Sequence, residues 1–202
     1  MGILPEAIVN YLGIMGRSVQ HEFLQIEGLI RDFSIDAYSG SDSLFDPDKL
    51  LWLNGAHLRA LPIERLLSEL GLTDAWAERV AVLRENGKTL VEIKDLLDIF
   101  DGSRIHDEAL DYLSRMKELG QALSLLGETL ARDAKKPFEE IYETLKKSTG
   151  LTRRDVMMLL RIAITGRKSG PPLQEVFRVI PEQIMLERVS CLQKKFGNSV
   201  NV

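Results

Sequence analysis

Apolar residues recur at helical spacing along almost the entire chain, and this pattern limits the fold more than any other feature of the sequence. Helix-starting signals precede several of these stretches. Asp46, Pro47 and Asp48 supply a capping side chain, a first-turn proline and an acidic residue at the positive end of the helix dipole. Thr152 and Asp155 form a capping box before another apolar stretch. Because strand-like alternation is almost absent, the sequence predicts an all-α fold of one or more multi-helix bundles.

Glycines indicate where several of these helices end. Gly71 and Gly166 directly follow predicted helices, and Gly55 is predicted to end the helix over Lys49–Asn54. Gly120 is predicted to separate two further helices. A second helical stretch is expected to run from His21 to Ile30.

The formal net charge of −4 combines an acidic front half with a basic rear half. Residues 1–102 carry nine Lys and Arg against seventeen Asp and Glu, whereas residues 103–202 carry seventeen against thirteen. The sign changes at the turn-forming segment Asp101-Gly102-Ser103, which is also a predicted domain boundary. Local potential steers binding more than total charge does, so the negative total does not exclude a polyanionic partner.

The composition is typical of a cytoplasmic globular protein. No apolar run approaches the roughly 18 residues of a membrane span, so no membrane contact is expected. The start, MGILPEAIVN, lacks the basic region of a signal peptide. Cys191 is the single cysteine, which excludes an internal disulfide and fits a cytoplasmic protein. We expect its side chain to be a small buried apolar group and not a reactive thiol.

Catalytic and metal-binding patterns are missing from the sequence. It contains no glycine-rich phosphate loop, and its three histidines, His21, His57 and His106, are far apart. The run His106-Asp107-Glu108 is not expected to hold a metal ion, because consecutive side chains on a helix point about 100° apart. We therefore predict no catalytic residue and no metal site in this chain.

Three segments resemble glutamyl-tRNA synthetase, a class I aminoacyl-tRNA synthetase, in the order in which that family has them. GILPEAIVNYLGIMG, residues 2–16, is similar to the segment that follows the family's KMSKS-type loop. FDPDKLLWLNGAHLR, residues 45–59, is similar to the next landmark. LLRIAITGRKSGPPLQEV, residues 159–176, is similar to the anticodon-binding tip. The three segments span nearly the whole chain.

The resemblance implies the C-terminal part of a bacterial-type enzyme without its catalytic domain. Residues 1–62 would form a stem-contact helical region, and residues 63–102 and 103–202 two all-helical anticodon-binding subdomains. The family's HIGH and KMSKS motifs do not occur here, so this chain alone should be inactive as a glutamate–tRNA ligase. ATP and magnesium would belong to the missing catalytic domain, and no cofactor is expected here. The implied partners are tRNA(Glu), with tRNA(Gln) as a second candidate, and the catalytic domain, in a monomeric protein.

The resemblance also assigns anticodon contacts to the tip. Arg161 matches a family arginine that reads the anticodon, and Leu173 matches a residue that packs against a base. A guanidinium presents a planar fork to a base, and we expect Leu173 to be exposed so that it can cover a ring. An ion pair of Arg161 with Asp155 or Glu175 is the competing interpretation. The other residues expected to contact RNA or to shape this turn are Thr165, Arg167, Lys168, Ser169, Gly170, Pro171 and Pro172.

Asn86 departs from the family's pattern in a way that bears on specificity. Aligning LRENGKTL places Asn86 where the family usually has an arginine that confers preference for cytosine at the first anticodon position. Asparagine cannot reproduce the arginine fork, so we predict weak discrimination at that base. A shift of the alignment by one or two residues would place Arg84 or Lys88 there instead.

Four basic residues bracket one predicted helix–helix turn and are candidates for phosphate contacts, which position RNA without reading its sequence. They are Lys146, Lys147, Arg153 and Arg154.

Two other classes of protein stay open as alternatives to a synthetase fragment. One is a free-standing tRNA-binding accessory protein, and the other is a helical protein–protein adaptor that has kept the fold but lost tRNA binding.

Overall fold

The computed structural model describes residues 2–39, 42–102, 104–134 and 136–197. In these ranges the regular structure is helical, apart from one isolated antiparallel bridge. The predicted all-α class is therefore confirmed. None of the described helices is both long and apolar enough to span a membrane.

The chain divides into two compact units, one ending at Leu96 and the other beginning at Leu97. The described helices of the N-terminal unit are α1 (Pro5–Ile14), α2 (Ile26–Arg31), α3 (Pro47–Ala60), α4 (Ile63–Leu70), α5 (Ala77–Arg84) and α6 (Leu90–Leu96). Those of the C-terminal unit are α7 (Asp107–Ser114), α8 (Leu119–Arg132), α9 (Phe138–Ser148), α10 (Arg153–Thr165), α11 (Leu173–Val179) and α12 (Glu182–Phe196). Short 3-10 helices occupy Ile35–Ala37, Asp74–Trp76 and Leu97–Phe100. The division into three parts at residues 62 and 102 stays a prediction.

Asn54 lies fully buried in the middle of α3 and bonds to two other parts of the N-terminal unit. Its Oδ1 accepts a hydrogen bond from the amide of Leu4 at 2.7 Å. Its Nδ2 donates to the carbonyl of Gly2 at 3.3 Å and to that of Lys88 at 2.6 Å. Because a buried amide without partners is costly, this side chain fixes residues 2–4 and 88 against α3.

The predicted helix end at Gly55 is wrong, because α3 continues through this residue. A Cβ at position 55 would lie 3.2 Å from Nη1 of Arg59, 3.6 Å from Cα of Lys88 and 3.7 Å from the carbonyl oxygen of Gly87. The backbone at residues 87–88 thus runs directly over this part of the helix. The glycine serves close packing here and does not terminate the helix.

The predicted helix over residues 21–30 is also wrong in its extent, because only α2 forms in this region. Nδ2 of Asn10 donates to the carbonyl of Glu22 at 2.9 Å, and its Oδ1 accepts from the amide of Leu24 at 3.0 Å. Nε2 of the buried His57 lies 3.0 Å from the same oxygen. The backbone before α2 is therefore bonded to a side chain of α1 in place of its own helical partners.

Helix α10 contacts α9, α11 and α12 in the C-terminal unit. Its start is the predicted cap, with Oγ1 of Thr152 accepting from the amide of Asp155 at 3.2 Å. Its end is the predicted glycine, since Gly166 is in the left-handed region with φ 72°. The buried residues of the helix are Val156, Leu159, Leu160, Ile162, Ala163, Ile164 and Thr165. Helix α10 is thus a well-packed support for the turn that follows it.

Two further expectations for the C-terminal unit are wrong. Gly120 does not break a helix but lies in the first turn of α8, and the chain turns before it at Glu118, which has φ 56°. Cys191 is exposed, because it falls outside the buried side of α12. That side is formed by Met185, Arg188, Val189 and Leu192.

Candidate nucleic-acid interface

The turn after α10, residues 166–172, is hydrogen-bonded to a buried side chain at the end of that helix. Thr165 is buried, and its Oγ1 lies 2.7 Å from the carbonyl oxygen of Arg161. The same Oγ1 accepts a hydrogen bond from the amide of Arg167 at 3.1 Å. The hydroxyl therefore closes the turn and is turned away from solvent, although the resemblance made Thr165 a candidate for RNA contact.

Gly166 lies against the segment that leads into α7. With φ 72°, it adopts a conformation that favours glycine. A Cβ at this position would overlap with the carbonyl oxygen of Arg104, and the Gly166 carbonyl accepts from the amide of His106 at 2.9 Å. Any larger residue would therefore have to move either the turn or residues 104–106.

Arg161 holds the far end of the turn. Its Nη1 donates to the carbonyl of Pro171 at 3.0 Å, and its side chain is half-buried. This burial lowers the pKa of Arg161 from its ordinary value. Pro171 takes up one N–H group, and the guanidinium has further donors with which it could bind a ligand.

The two acids that could have paired with Arg161 are engaged elsewhere. The hydroxyl of Tyr112 donates to Oδ1 of Asp155 at 3.1 Å. Glu175 pairs with Arg178, with Nη2 and Oε2 2.7 Å apart. The ion-pair interpretation of Arg161 therefore loses both of its named partners.

The expectation that Leu173 is exposed is wrong, since its side chain is 4% exposed. It is the first residue of α11, and the packing of α11 against α10 covers it. The base contact that the resemblance implies for Leu173 stays a prediction, and it would require this leucine to be uncovered. The residues of the turn that are exposed in the structure are Ser169, Gly170 and Pro172.

Arg167 points towards Asp98 and not towards solvent. Its Nε and Nη2 lie 2.9 and 2.8 Å from Oδ1 of Asp98, and the two side chains are 13% and 23% exposed. The other oxygen of Asp98, Oδ2, lies 2.8 Å from Nε2 of His106. The predicted RNA contact of Arg167 therefore competes with a largely buried ion pair.

Lys168 and Arg154 meet at Tyr112, a residue of α7. Nζ of Lys168 lies 6.0 Å from the centroid of the Tyr112 ring, at the limit of a cation–π contact. Arg154 approaches the Tyr112 hydroxyl. Burial and the hydrogen bond to Asp155 raise the pKa of the Tyr112 hydroxyl above its ordinary value. The structure thus joins one predicted turn residue to one predicted phosphate contact.

The other predicted phosphate contacts surround the turn between α9 and α10. Arg153 is exposed at the start of α10. Lys146 and Lys147 share Glu143, each with Nζ 3.6 Å from one of its carboxylate oxygens. Exposed pairs of this kind contribute little, so both lysines can exchange the glutamate for a phosphate.

Asn86 lies in the N-terminal unit, in the turn between α5 and α6, and its side chain is exposed. Its backbone N–H donates to the carbonyl of Leu83 at 3.1 Å. Of the two alternative residues, Arg84 donates to the carbonyl of Leu61 at 3.1 Å, and Lys88 is exposed. Asn86 and Lys88 are therefore accessible, whereas Arg84 is bound to backbone. The specificity assigned to Asn86 stays a prediction.

The buried guanidinium of Arg188 holds together the segments on which the turn rests. It donates to five carbonyls, and desolvation lowers the pKa of this arginine to about 10. Nη2 bonds to the carbonyls of Asp98 at 3.1 Å and of Ile99 and Gly102 at 2.9 Å. Nε and Nη1 donate to the carbonyls of Arg104 and Ile164 respectively. Arg188 therefore joins α12 to the end of α10, to residues 98–102 and to Arg104.

Residues 51–192 match the family of the anticodon binding domain. The chain belongs to the anticodon-binding domain family. The matched range contains α10, the turn 166–172, and both Asp98 and Arg188. The turn and the residues that hold it are thus parts of one anticodon-binding domain.

Relatives of this anticodon-binding domain include several bacterial glutamate–tRNA ligases. Glutamate–tRNA ligase 2 of Syntrophus aciditrophicus is 31% identical over 98% of this chain and 44% of its own length. The enzyme of Methylacidiphilum infernorum is 33% identical over 93% of this chain and 47% of its own length. A crystal structure of the glutamate–tRNA ligase of Elizabethkingia meningosepticum shares the fold with a TM-score of 0.78 at 21% identity, over 96% of this chain and 41% of that one. The chain thus spans less than half the length of these relatives.

In this anticodon-binding domain, sequence reasoning found the turn but not the residues that hold it. Asp98, Tyr112 and Arg188 were missed, and His106 was considered only as a metal ligand. One signal was present for Arg188. It is spaced i+3 from Met185 and lies among the apolar positions of the last helix, where a charged residue must find buried partners.

Proposed function

We propose that this chain recognises tRNA(Glu) as the anticodon-binding part of a glutamate–tRNA ligase. The observation that carries the proposal is the match of residues 51–192 to the anticodon-binding domain family. The names of the relatives support glutamate as the amino acid of the whole enzyme. Attachment of glutamate, with its ATP and magnesium, is assigned to a catalytic domain outside these 202 residues. We further propose a cytoplasmic monomer.

Arg161 and the exposed part of the turn would read the anticodon. Proteins recognise single-stranded loops by bonding to base edges and by stacking on splayed bases. Arg161 keeps donors beyond the one bound to Pro171, and its planar group suits both modes. Ser169 and Gly170 are exposed beside it, so the backbone of a bound loop can approach closely.

Lys168, Arg153 and Arg154 would contact phosphates next to this reading surface. Arg153 and Arg154 come from the start of α10 and Lys168 from the turn after it, and Lys168 and Arg154 both lie near Tyr112. Phosphate contacts orient a nucleic acid without selecting its sequence. Asn86, in the N-terminal unit, would discriminate weakly at the first anticodon base, which is why tRNA(Gln) is kept as a second candidate substrate.

Titration with fluorescent tRNA tests the proposed function. The chain is titrated against tRNA(Glu), a first-position anticodon variant, a third-position variant and an unrelated tRNA, at two salt concentrations. We expect preference for tRNA(Glu), loss of that preference on the third-position change, and a small effect of the first-position change. Arg161→Ala should weaken binding to tRNA(Glu) by about tenfold, because a good base contact contributes roughly 1–3 kcal/mol.

Arg132→Ala is the matched control for Arg161→Ala. Arg132 is an 83% exposed arginine of α8, and its Nη2 lies 3.9 Å from Glu128. The control loses the same charge from the same unit without touching the turn, so its binding should stay within about twofold of the wild type. Equal weakening by both substitutions would reduce Arg161 to a general electrostatic contribution. Equal, salt-sensitive binding to all four tRNAs would contradict anticodon reading by this chain alone.

Neutralising Arg153 and Arg154 together should weaken binding to all tRNAs by similar factors. Both side chains are exposed at the start of α10, where they can displace counterions from a phosphate backbone. The slope of log Kd against log salt should become shallower by roughly 1.5 for two phosphate contacts. Titrations of the double glutamine variant over a salt series measure this slope. Selective loss of one tRNA, with the slope unchanged, would show that these arginines read sequence instead.

An interaction module for another protein is the second candidate function. The observation that favours it is a set of large apolar side chains exposed in the N-terminal unit. The most exposed of them are Ile30, Phe33, Ile35 and Leu44. Exposed apolar groups of this kind are typical of protein contact surfaces. A chain that binds none of the four tRNAs at either salt concentration would favour this function.

A further inference from the structure

The side chain and backbone of Asp98 link the turn 166–172 to the rest of the C-terminal unit. Its Oδ1 receives two N–H groups of Arg167, at 2.9 and 2.8 Å, and its Oδ2 lies 2.8 Å from Nε2 of His106. Its backbone carbonyl accepts from Arg188 at 3.1 Å. The Asp98 and Arg167 side chains are mostly buried, so solvent screens their pairing less than that of a surface pair.

Side-chain bonds hold the turn at both ends, and Asp98 makes the bonds at the end next to α10. Arg167 is the first residue after the glycine that ends α10, and the Asp98 carboxylate fixes its side chain. At the other end, Arg161 donates to the carbonyl of Pro171. Between these two attachments lie Lys168 and the exposed residues 169–170. A change at Asp98 therefore reaches the part of the turn proposed to meet the anticodon.

Asp98 also offsets the repulsion between two cations. Arg188 and Arg167 repel each other, whereas the negative charge of Asp98 favours the charged form of Arg188. Without that carboxylate charge, the repulsion between these two mostly buried guanidinium groups would lose the contribution that offsets it. Arg188 is fixed by five carbonyls, so Arg167 is the group expected to move out, and it would carry the start of the turn with it.

We propose that Asp98 is a positioning residue for anticodon reading, because it holds Arg167 and thereby keeps the turn 166–172 in the conformation that presents Arg161 and Lys168. This inference rests on the proposed function. Asp98 does not itself touch RNA in this scheme. It acts through Arg167, whose charge is used to build the turn and not to bind phosphate.

Asp98→Asn should separate anticodon discrimination from general attraction to RNA. The ratio of Kd values between the third-position variant and tRNA(Glu) should fall by roughly tenfold, as for neighbouring groups in one network. Binding to the unrelated tRNA at low salt should be unchanged or tighter, because the chain becomes more positive by one charge. A merely structural loss of folded protein would weaken both.

Asp101→Asn is the matched control. It makes the same change of charge three residues away, at an exposed position. Its ratio of Kd values should equal that of the wild type. Arg167→Met is the second variant, used in case Asp98→Asn does not fold, since it removes the same ion pair and leaves Asp98 with His106 and Arg188. It should also lower the ratio by roughly tenfold.

Limited digestion with trypsin gives a readout without RNA. Cleavage after Lys168 should be several times faster in Asp98→Asn and in Arg167→Met than in the wild type or in Asp101→Asn, because a released turn opens more often. Folded Asp98→Asn and Arg167→Met variants that keep the wild-type Kd ratio would overturn the positioning role. So would an unchanged rate of cleavage, whatever the tRNA result. A wild-type chain that does not discriminate between anticodons would instead overturn the proposed function.

Discussion

Replacing Arg188 with methionine should lower the free energy of unfolding of the C-terminal unit by about 3–5 kcal/mol. The guanidinium is fully buried and donates to five backbone carbonyls. Methionine fills a similar unbranched volume but offers no donor. Buried ion pairs can sometimes be replaced by apolar groups without loss, because both partners are removed together. Here the partners are backbone carbonyls, which a substitution cannot remove, so they would stay buried and unsatisfied.

Urea denaturation followed by circular dichroism measures this loss. Arg178→Met is the matched control, since Arg178 is a 71% exposed arginine of α11 that pairs with Glu175. We expect the control to change the free energy of unfolding by less than about 0.5 kcal/mol. A difference of under about 1 kcal/mol between Arg188→Met and the wild type would show that water or rearranged backbone satisfies these carbonyls.

Substituting Gly166 with alanine should lower the free energy of unfolding by about 2–4 kcal/mol and should displace the turn 166–172. Two costs combine at this residue. Its φ of 72° is unfavourable for any residue with a Cβ, and that Cβ would overlap with the carbonyl oxygen of Arg104. Because the obstacle is backbone, relief requires movement of the turn or of residues 104–106. Binding to tRNA(Glu) should therefore weaken together with stability.

Gly102→Ala separates these two costs. Gly102 belongs to the same unit and has φ 85°, but a Cβ there would meet nothing within 4 Å. It should lose only the conformational part, roughly 1–2 kcal/mol. Denaturation of both variants, together with titration against tRNA(Glu), makes the comparison. Equal losses for Gly166→Ala and Gly102→Ala would mean that the contact with Arg104 relaxes at little cost.

Local signals predicted helix class and several helix ends, because such signals depend on neighbours within one or two turns. The Thr152 cap and the left-handed glycine after α10 are of this kind. Gly55 looks the same in sequence but lies inside α3, because the backbone of residues 87–88 packs against it. Nothing within a few residues of Gly55 could have distinguished the two cases.

The candidate site shows the same limit more strongly. The resemblance directed attention to Arg161 and the turn, and the structure places both at the surface of the C-terminal unit. The bonding partners that hold the turn could not be predicted, since Asp98 is 69 residues from Arg167 and Arg188 is 86 residues from Gly102. Leu173 was misjudged for a related reason. A leucine after two prolines has no local feature that tells whether another helix covers it.

The bonds of Asn54 have a consequence for the time during translation at which the N-terminal unit can be completed. Leu4 is synthesised well before Lys88, yet the Asn54 side chain that accepts from the Leu4 amide also donates to the carbonyl of Lys88. At roughly 5–20 residues per second, several seconds pass between the appearance of these two residues. The core partners of Tyr11 and Ile14, Leu29 and Leu53, are made before then, but Asn54 still lacks one of its acceptors. The N-terminal unit can therefore complete the bonds around Asn54 only after residue 88 has been made.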